Sequence, residues 1–325
     1  MVERGLGTMA GNIMVFSGTS HLELAEEIAG ILGVELGQVK IEKFANQEIY
    51  VRFLDSVRGA ETFLIQSLCG NVNEALMELL IMIDAAKRAS AASICVVIPH
   101  FAYARQDKKS AAREPISARL VADLLTVAGA NRIITMDLHQ GQIQGFFDMP
   151  VNHLTALGIL GDYFASLKLE DAVVVSPDVG RAKVCKKLSD ILDVPLAIMH
   201  KGRPDHNVAE ITSVIGDVDG KICIVTDDMI DTAGTITAGA QALIDRGAKA
   251  IYLGATHGIL SPPARERIRV SSVVECVVTN TIAIPEDRTC DKLTILSVAP
   301  MFAAAIRNVY HNGSVSDLFD PDFEF

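Results

Sequence analysis

The sequence predicts an α/β fold of two domains, each a mostly parallel sheet flanked by helices, and three observations carry that prediction. Short apolar, β-branched runs such as "SICVVIP" and "AVVVSPD" recur along the chain. Continuous runs of this length suit strands covered on both faces, as in parallel sheets. Between them lie segments whose apolar residues recur at helical spacing, so that strand and helix alternate and must stack as α/β layers. Finally, 325 residues exceed the usual size of one hydrophobic core, which sets the expected domain number at about two.

Taken in chain order, "NIMVFSG", "TFLIQS", "SICVVIP" and "RIITMDL" are expected strands, with helices over "NEALMELLIMIDAAKRA" and "ISARLVADLLTVAGA". The strands "AVVVSPD", "KICIVTDD" and "AIYLGATH" follow, with a helix over "TITAGAQALIDRGA". By composition "KFANQEIYVRF" is a turn followed by a strand, and "APMFAAAIRNVYHNGSVSDLF" is one more helix with a short polar tail. The segments "ADLLTVAGANRIITMDLH" and "AQALIDRGAKAIYLGATH" both run helix, Gly-Ala corner, strand, histidine. Duplication of one half would produce that echo, and so would the corners common to any α/β chain. The domain boundary is expected near residues 150 to 160.

Bulk properties exclude several classes of function. Half the residues are hydrophobic, which is ample for real cores and argues against extended disorder. The formal net charge is -11, from 40 acidic and 29 basic side chains, so nucleic acid and anionic membranes are not expected partners. A polyanionic substrate then requires a local basic pocket. The N-terminal "MVERGLGTMAGNIMVFSG" has no apolar core of signal-peptide length, and no apolar run suits a membrane span, so a cytoplasmic protein is expected. Six cysteines are scattered without a CxxC pair among mostly apolar neighbours, and buried free thiols are expected.

In open parallel sheets, ligands sit at the carboxyl ends of strands, where loops and helix starts expose backbone N–H groups. Here those ends read "MDLHQGQ", "SPDVGRAK" and "TDDMIDTAGTIT". The last is the sharpest signal. Its turn opens a helix, offering N–H donors, the hydroxyls of Thr232 and Thr235, and close approach at Gly234, which together suit a monophosphate. Asp227 and Asp228 suit the hydroxyls of a vicinal diol. A phosphate beside a diol describes ribose 5-phosphate; an ordinary helix cap with solvated aspartates is the plain alternative.

This string resembles the phosphoribosyl-diphosphate loop of type I phosphoribosyltransferases and of ribose-phosphate diphosphokinases, and by itself it leaves both families open. "PHFAYARQDKKSAAREPISARLVADLLTVAGANRIITMDLHQGQIQGFFDMPV" separates them, because it closely resembles the diphosphokinase signature region. The resemblance runs from "MVFSGTSHLELAEEIAGILG" to "GSVSDLF", nearly the whole chain. It implies two domains of type I phosphoribosyltransferase-like fold: an ATP-binding domain over residues 12–155, onto which a closing helix at 304–325 packs back, and a ribose 5-phosphate-binding domain over 156–303. It further implies transfer of the diphosphoryl group of ATP to the sugar's 1-hydroxyl, Mg2+ as cofactor, and a homo-oligomer, hexameric in the family.

The resemblance also implies roles for particular residues. Phe44, Asn46, Gln47 and Glu48 would bind adenine or its ribose, Phe44 by stacking. Arg105, Gln106, Lys108 and Lys109 would contact ATP; with Arg113 they concentrate charge in a polar segment that reads as a mobile basic lid, or else as a solvated turn. His139 and Asp178 would serve the metal, Asp178 being the better ligand because magnesium prefers oxygen. Lys201 and Arg203 would stabilise the transition state, Arg203 also touching the sugar phosphate; an exposed basic turn is the alternative. Asp227, Asp228, Asp231, Thr232, Ala233, Gly234 and Thr235 would hold ribose 5-phosphate.

Two positions depart from the family pattern. Arg181 stands where a second glycine is usual, and Asn152 stands where an aspartate is usual, at a place the family associates with a regulatory anion or second cation. Ser314, Ser316 and Phe319 keep the tail residues near that regulatory site. The competing functions are a phosphoribosyltransferase and a non-catalytic regulatory homologue. The first needs no ATP site, and the second typically carries insertions beside the lid, which "RQDKKSAAREPISAR" lacks.

Overall fold

The computed structural model describes residues 13–205 and 208–318, without the side chains of residues 201–212. It divides into two compact units. The first holds the chain up to Leu154, the short piece Thr281–Ala283, and the residues from Val298 onward; the second holds Thr155–Asn280 and Ile284–Ser297.

The first unit runs β1 (Ile13–Ser17), α1 (Leu22–Leu32), β2 (Val39–Lys43), β3 (Ile49–Phe53), β4 (Glu61–Ile65), α2 (Val72–Arg88), β5 (Ser93–Ile98), α3 (Ser117–Ala128), β6 (Arg132–Met136) and β7 (Val151–Leu154). Five of these strands form one sheet in the order β1-β4-β5-β6-β7, every neighbour pair parallel. Its strands are covered on both faces, so they read as unbroken apolar runs: β4 and β5 are buried at nearly every position. One face packs Phe16, Leu64, Val96 and Ile98 against Leu79, Met82 and Ile83 of α2 and Val121 and Leu125 of α3. The expected turn and strand at residues 43–53 prove to be half of an antiparallel ribbon, β2 pairing β3 with Lys43 opposite Ile49. The Phe53 ring meets the edge of Phe16 at 4.6 Å, which anchors the ribbon to the core.

The second unit runs α4 (Leu157–Ser166), β8 (Ala172–Ser176), α5 (Ala182–Leu192), β9 (Leu196–Asp205), β10 (Val208–Ile215), β11 (Ile222–Ile230), α6 (Gly234–Ile244), β12 (Ala250–Gly258), α7 (Ala264–Val270), β13 (Val273–Thr279) and β14 (Leu293–Leu296). Its sheet has the order β10-β9-β8-β11-β12-β13-β14 and is parallel except for the β9–β10 hairpin. Val173, Val175, Cys223, Val225 and Leu253 pack against Ala240 and Leu243 of α6 and Ile268 of α7. The last helix, α8 (Ala299–Tyr310), belongs to the first unit, burying Phe302, Ala303 and Ile306. There it packs on α1, and the Arg307 guanidinium donates to the Ile31 carbonyl at 3.2 Å.

The fold is therefore the predicted α/β class, with parallel sheets flanked by helices. Every apolar run named from the sequence is a strand, and every segment of helical spacing is a helix. Among the described residues no helix is long and apolar enough to cross a membrane. The six cysteines are free, five of them buried, and burial pushes the Cys223 and Cys276 thiols up to about 11 and about 12.

Candidate functional site

The acidic end of β11 and the start of α6 form the best-defined polar constellation of the second unit. The strand does not stop before the two aspartates: it continues through them to Ile230, which pairs with Gly258 of β12. Asp228 is buried at 3% exposure, while the Asp227 side chain keeps 30%. The Asp228 backbone N–H donates to Asp227 Oδ1 at 2.9 Å. Burial first, and then the neighbouring Asp228, push the Asp227 carboxyl up to about 7, against the pull of Arg181.

Beyond β11, Asp231 and Thr232 lead to Ala233, whose φ of 58° is left-handed. That conformation is unusual for a residue with a Cβ, and it turns successive backbone N–H groups inward. The cap residue Ala233 has no side-chain acceptor to offer, and the first N–H groups of an α-helix have no partner within the helix itself. Thr232 and Thr235 are exposed beside them. Such an end attracts an anion through both its donors and the helix dipole. The Thr237 hydroxyl turns back onto the Ala233 carbonyl at 2.7 Å, which fixes the left-handed corner.

The neighbouring strand β8 supplies Asp178. Its Oδ1 accepts the Arg181 backbone N–H at 3.1 Å, capping the single 3-10 turn Val179–Arg181. Arg181 itself has φ -93° and ψ -4°, a conformation open to any L-residue, so the loss of glycine brings no backbone strain. Its side chain points inward, with Nε 3.5 Å from Asp227 Oδ1. Lys201 and Arg203 lie within β9 and not in an exposed turn, since Lys201 stands opposite Ile211 and Gly202 opposite Glu210 in the hairpin. Their side chains lie outside the described residues.

In the first unit, Phe44, Asn46, Gln47 and Glu48 make the tight turn of the β2–β3 ribbon. The Phe44 N–H donates to the Glu48 carbonyl at 2.9 Å, and Asn46 Oδ1 accepts the Glu48 N–H at 3.2 Å. Gln47 takes φ 72°, and Phe44 is 54% exposed, its ring edge-on to Tyr50 at 5.8 Å. Arg105, Gln106, Lys108 and Lys109 occupy the irregular connection from β5 to α3, all exposed, with Asp107 buried among them. That connection is more anchored than its polarity suggests. Gln106 Oε1 accepts from the Ser117 hydroxyl at 2.5 Å, and Glu114 accepts the N–H groups of Ser110 and Ala111 at 2.7 and 2.8 Å. His139 is half-buried just past the carboxyl end of β6, following Asp137, which has a left-handed φ of 36°.

The structure thus brings Asp227, Asp228, Asp178 and the start of α6 into one region of the second unit. In the first unit, the β5–α3 connection and His139 follow the carboxyl ends of the neighbouring parallel strands β5 and β6, while the ribbon turn belongs to the separate β2–β3 pair. Among the described residues no group of three or more His, Cys, Asp or Glu side chains is arranged to hold a metal ion.

Comparison with known proteins decides the family. Residues 13–129 match the N-terminal domain of ribose phosphate pyrophosphokinase, and residues 204–320 match the phosphoribosyl synthetase-associated domain. A ribose-phosphate pyrophosphokinase of Clostridium tetani is 53% identical over 312 residues, covering 95% of this chain and 98% of the relative. One from Bacillus caldolyticus is 53% identical over 308 residues, with the same coverage. The chain belongs to the ribose-phosphate pyrophosphokinase family. A crystal structure of phosphoribosylpyrophosphate synthetase from Mycobacterium smegmatis superposes with a TM-score of 0.88 at 50% identity, over 93% of this chain and all of that one.

Within this pyrophosphokinase chain, sequence reasoning missed supporting residues that carry no motif. Arg267 of α7 donates to the Thr232 carbonyl at 2.9 Å, bracing the α6 turn from behind. Glu78 of α2, buried, accepts the backbone N–H and hydroxyl of Thr19 at 2.7 and 2.8 Å and the Gln66 amide at 2.7 Å, fixing the loop after β1. The signal for Glu78 was a carboxylate on the apolar face of a helix; Arg267 offered none. Asn152, the other departure from the family pattern, accepts from Arg132 at 2.9 Å, so a neutral amide meets that guanidinium.

Proposed function

We propose that this chain transfers the β,γ-diphosphoryl group of ATP to the 1-hydroxyl of ribose 5-phosphate, giving phosphoribosyl diphosphate and AMP. The observation that carries the reading is the succession, on one strand and the helix after it, of paired carboxyls and a helix start whose cap residue, Ala233, is left-handed. It fits a sugar with vicinal hydroxyls and a terminal phosphate, and family membership supplies the reaction type.

In this reading the second unit holds the sugar: Asp227 and Asp228 accept its hydroxyls, while Asp231, Thr232, Ala233, Gly234 and Thr235 cradle its phosphate. The first unit holds the nucleotide. Phe44 stacks on adenine, Asn46, Gln47 and Glu48 bond its edge or ribose, and Arg105, Gln106, Lys108 and Lys109 neutralise and orient the triphosphate. The sugar O1 forms a bond to the β-phosphorus as the bond from that phosphorus to the α,β-bridging oxygen breaks, and the bridging oxygen leaves with AMP. Lys201 and Arg203 bear the charge that develops, since phosphoryl transfer depends mainly on positioning and charge cancellation. By family resemblance Asp178 and His139 would each serve Mg2+, Asp178 offering the carboxylate oxygen that magnesium prefers. When bound, magnesium spreads positive charge over the phosphates. The same reading carries a cytoplasmic homo-oligomer, hexameric by family resemblance.

The test is direct. Purified protein given ATP, Mg2+ and ribose 5-phosphate is expected to release AMP and form phosphoribosyl diphosphate in equal amounts. No AMP, together with conversion of a nucleobase when phosphoribosyl diphosphate is supplied, would make it a transferase. Release of AMP only after a second subunit is added would make it a regulatory homologue.

A further inference from the structure

Arg181 has no role in the activity as described so far, yet its guanidinium is a cation set against Asp227, one of the two carboxyls proposed to bind the sugar. We propose that Arg181 is a positioning residue for ribose 5-phosphate, acting through Asp227 by drawing that carboxyl toward its guanidinium and keeping it turned toward the sugar hydroxyls. The inference rests on the function proposed above and adds to it the group that makes two adjacent carboxyls usable together.

Four observations converge on it. The Arg181 side chain is only 20% exposed and reaches from the turn after β8 to the adjacent strand β11, where Nε lies 3.5 Å from Asp227 Oδ1. Nε is buried and has no hydrogen-bond acceptor, so the guanidinium is drawn to Asp227 by charge at a distance longer than the 2.7–2.9 Å of a full charge-assisted bond. The backbone of Arg181 is fixed, its N–H capped by Asp178 Oδ1 at 3.1 Å, so the direction of the side chain follows from the end of β8. Finally, Asp227 and Asp228 are adjacent, the Asp228 N–H donating to Asp227 Oδ1 at 2.9 Å, and neighbouring like charges disfavour joint ionisation unless a cation stands beside them.

The chemical need is specific. A vicinal diol donates two hydroxyl protons, and a carboxyl that keeps its own proton has lost part of its accepting capacity. A cation at Asp227 favours the form that accepts from both hydroxyls. The loose 3.5 Å approach also leaves the carboxylate room to turn toward the sugar without leaving the guanidinium's field. Arg181 is thereby coupled to Asp178 through its backbone and to Asp227 through its side chain.

Steady-state kinetics of Arg181→Gly, Arg181→Lys, Asp227→Asn and the double variant Arg181→Gly with Asp227→Asn would test this beside the parent. Glycine accepts the observed backbone angles, and thermal unfolding checks that each variant is folded. Arg181→Gly is expected to raise KM for ribose 5-phosphate about tenfold or more, as loss of a partner to a charged group does, while KM for ATP stays within about twofold. Arg181→Lys is expected to recover part of the loss. Adding Arg181→Gly to Asp227→Asn should change the sugar KM little further, because the second residue works through the first. A sugar KM unchanged by Arg181→Gly, or losses that multiply fully in the double variant, would leave Arg181 a structural ion pair and overturn the proposal. A parent protein that releases no AMP would instead overturn the function on which it rests.

Discussion

A carboxyl that is partly buried against another carboxyl resists ionisation, and Asp227 on β11 is in that position. Its ordinary value near 3.8 is pushed up to about 7, so between those values the folded chain keeps a proton that the unfolded chain has released. The native state binds more protons there, and stability contributed by this residue falls as pH rises from about 4 to about 7, then levels. Asp227→Asn removes the effect. The unfolding free energy of the variant, from denaturant titrations, is expected to gain on the parent across that window, by on the order of 1 kcal/mol because solvent reaches part of the side chain. A difference that stays constant from pH 4 to 8 would mean that Asp227 titrates as an ordinary carboxyl. Lys201 makes a contrasting case, since its proposed charge contact forms only as the diphosphoryl group moves. Lys201→Ala is expected to lower kcat by roughly 10² to 10⁴ with little change in the KM for ribose 5-phosphate. Initial-rate kinetics decide it, and a parental kcat would remove the lysine from the chemistry.

At the scale of elements, the loop after β1 hangs on one helix residue. Glu78 accepts three donors, from Thr19 and Gln66, inside a site 3% exposed. Glu78→Ala leaves those donors unsatisfied and opens a cavity on the α2 face, and is expected to destabilise the first unit by about 2–4 kcal/mol. Equilibrium unfolding that shifts by less than about 0.5 kcal/mol, the range of ordinary surface substitutions, would show that water satisfies the loop instead. Such buried polar pins explain which elements were legible in the sequence. Buried parallel strands such as β4, β5 and β8 could be read because both faces are apolar. The β2–β3 ribbon was half seen, since "VKIEK" is largely open to solvent and its pattern resembles any polar stretch. The extension of β9 through Lys201 to Asp205 was hidden by a polar composition that reads as a turn. Within the site, Asp227, Asp228 and the α6 start were legible because strand-to-helix chemistry is local. The direction of Arg181 was not, because it depends on β8 lying beside β11, a pairing between residues some fifty positions apart.

Across the whole molecule, a chain of net charge -11 must bind two phosphorylated substrates, so binding depends on where local donors and cations stand. The two units offer them differently. The first has exposed Arg105, Lys108, Lys109 and Arg113 on an irregular connection, suited to a triphosphate. The second offers backbone donors at one helix start, suited to a single phosphate. Each unit has its own core, so amides of central strands exchange slowly with or without ligand, and ligand effects should register in loops and helix starts. Hydrogen exchange can therefore separate the substrates. A non-hydrolysable ATP analogue alone is expected to slow exchange at residues 44–48 and 104–116, and ribose 5-phosphate alone at 227–237. Protection of 227–237 by the nucleotide alone, with none from the sugar phosphate, would reverse the assignment of the two units. Protection by ribose 5-phosphate confined to 234–237 would keep the phosphate cradle but remove the diol contact, because binding at the helix start would then proceed without engaging the aspartate pair on β11.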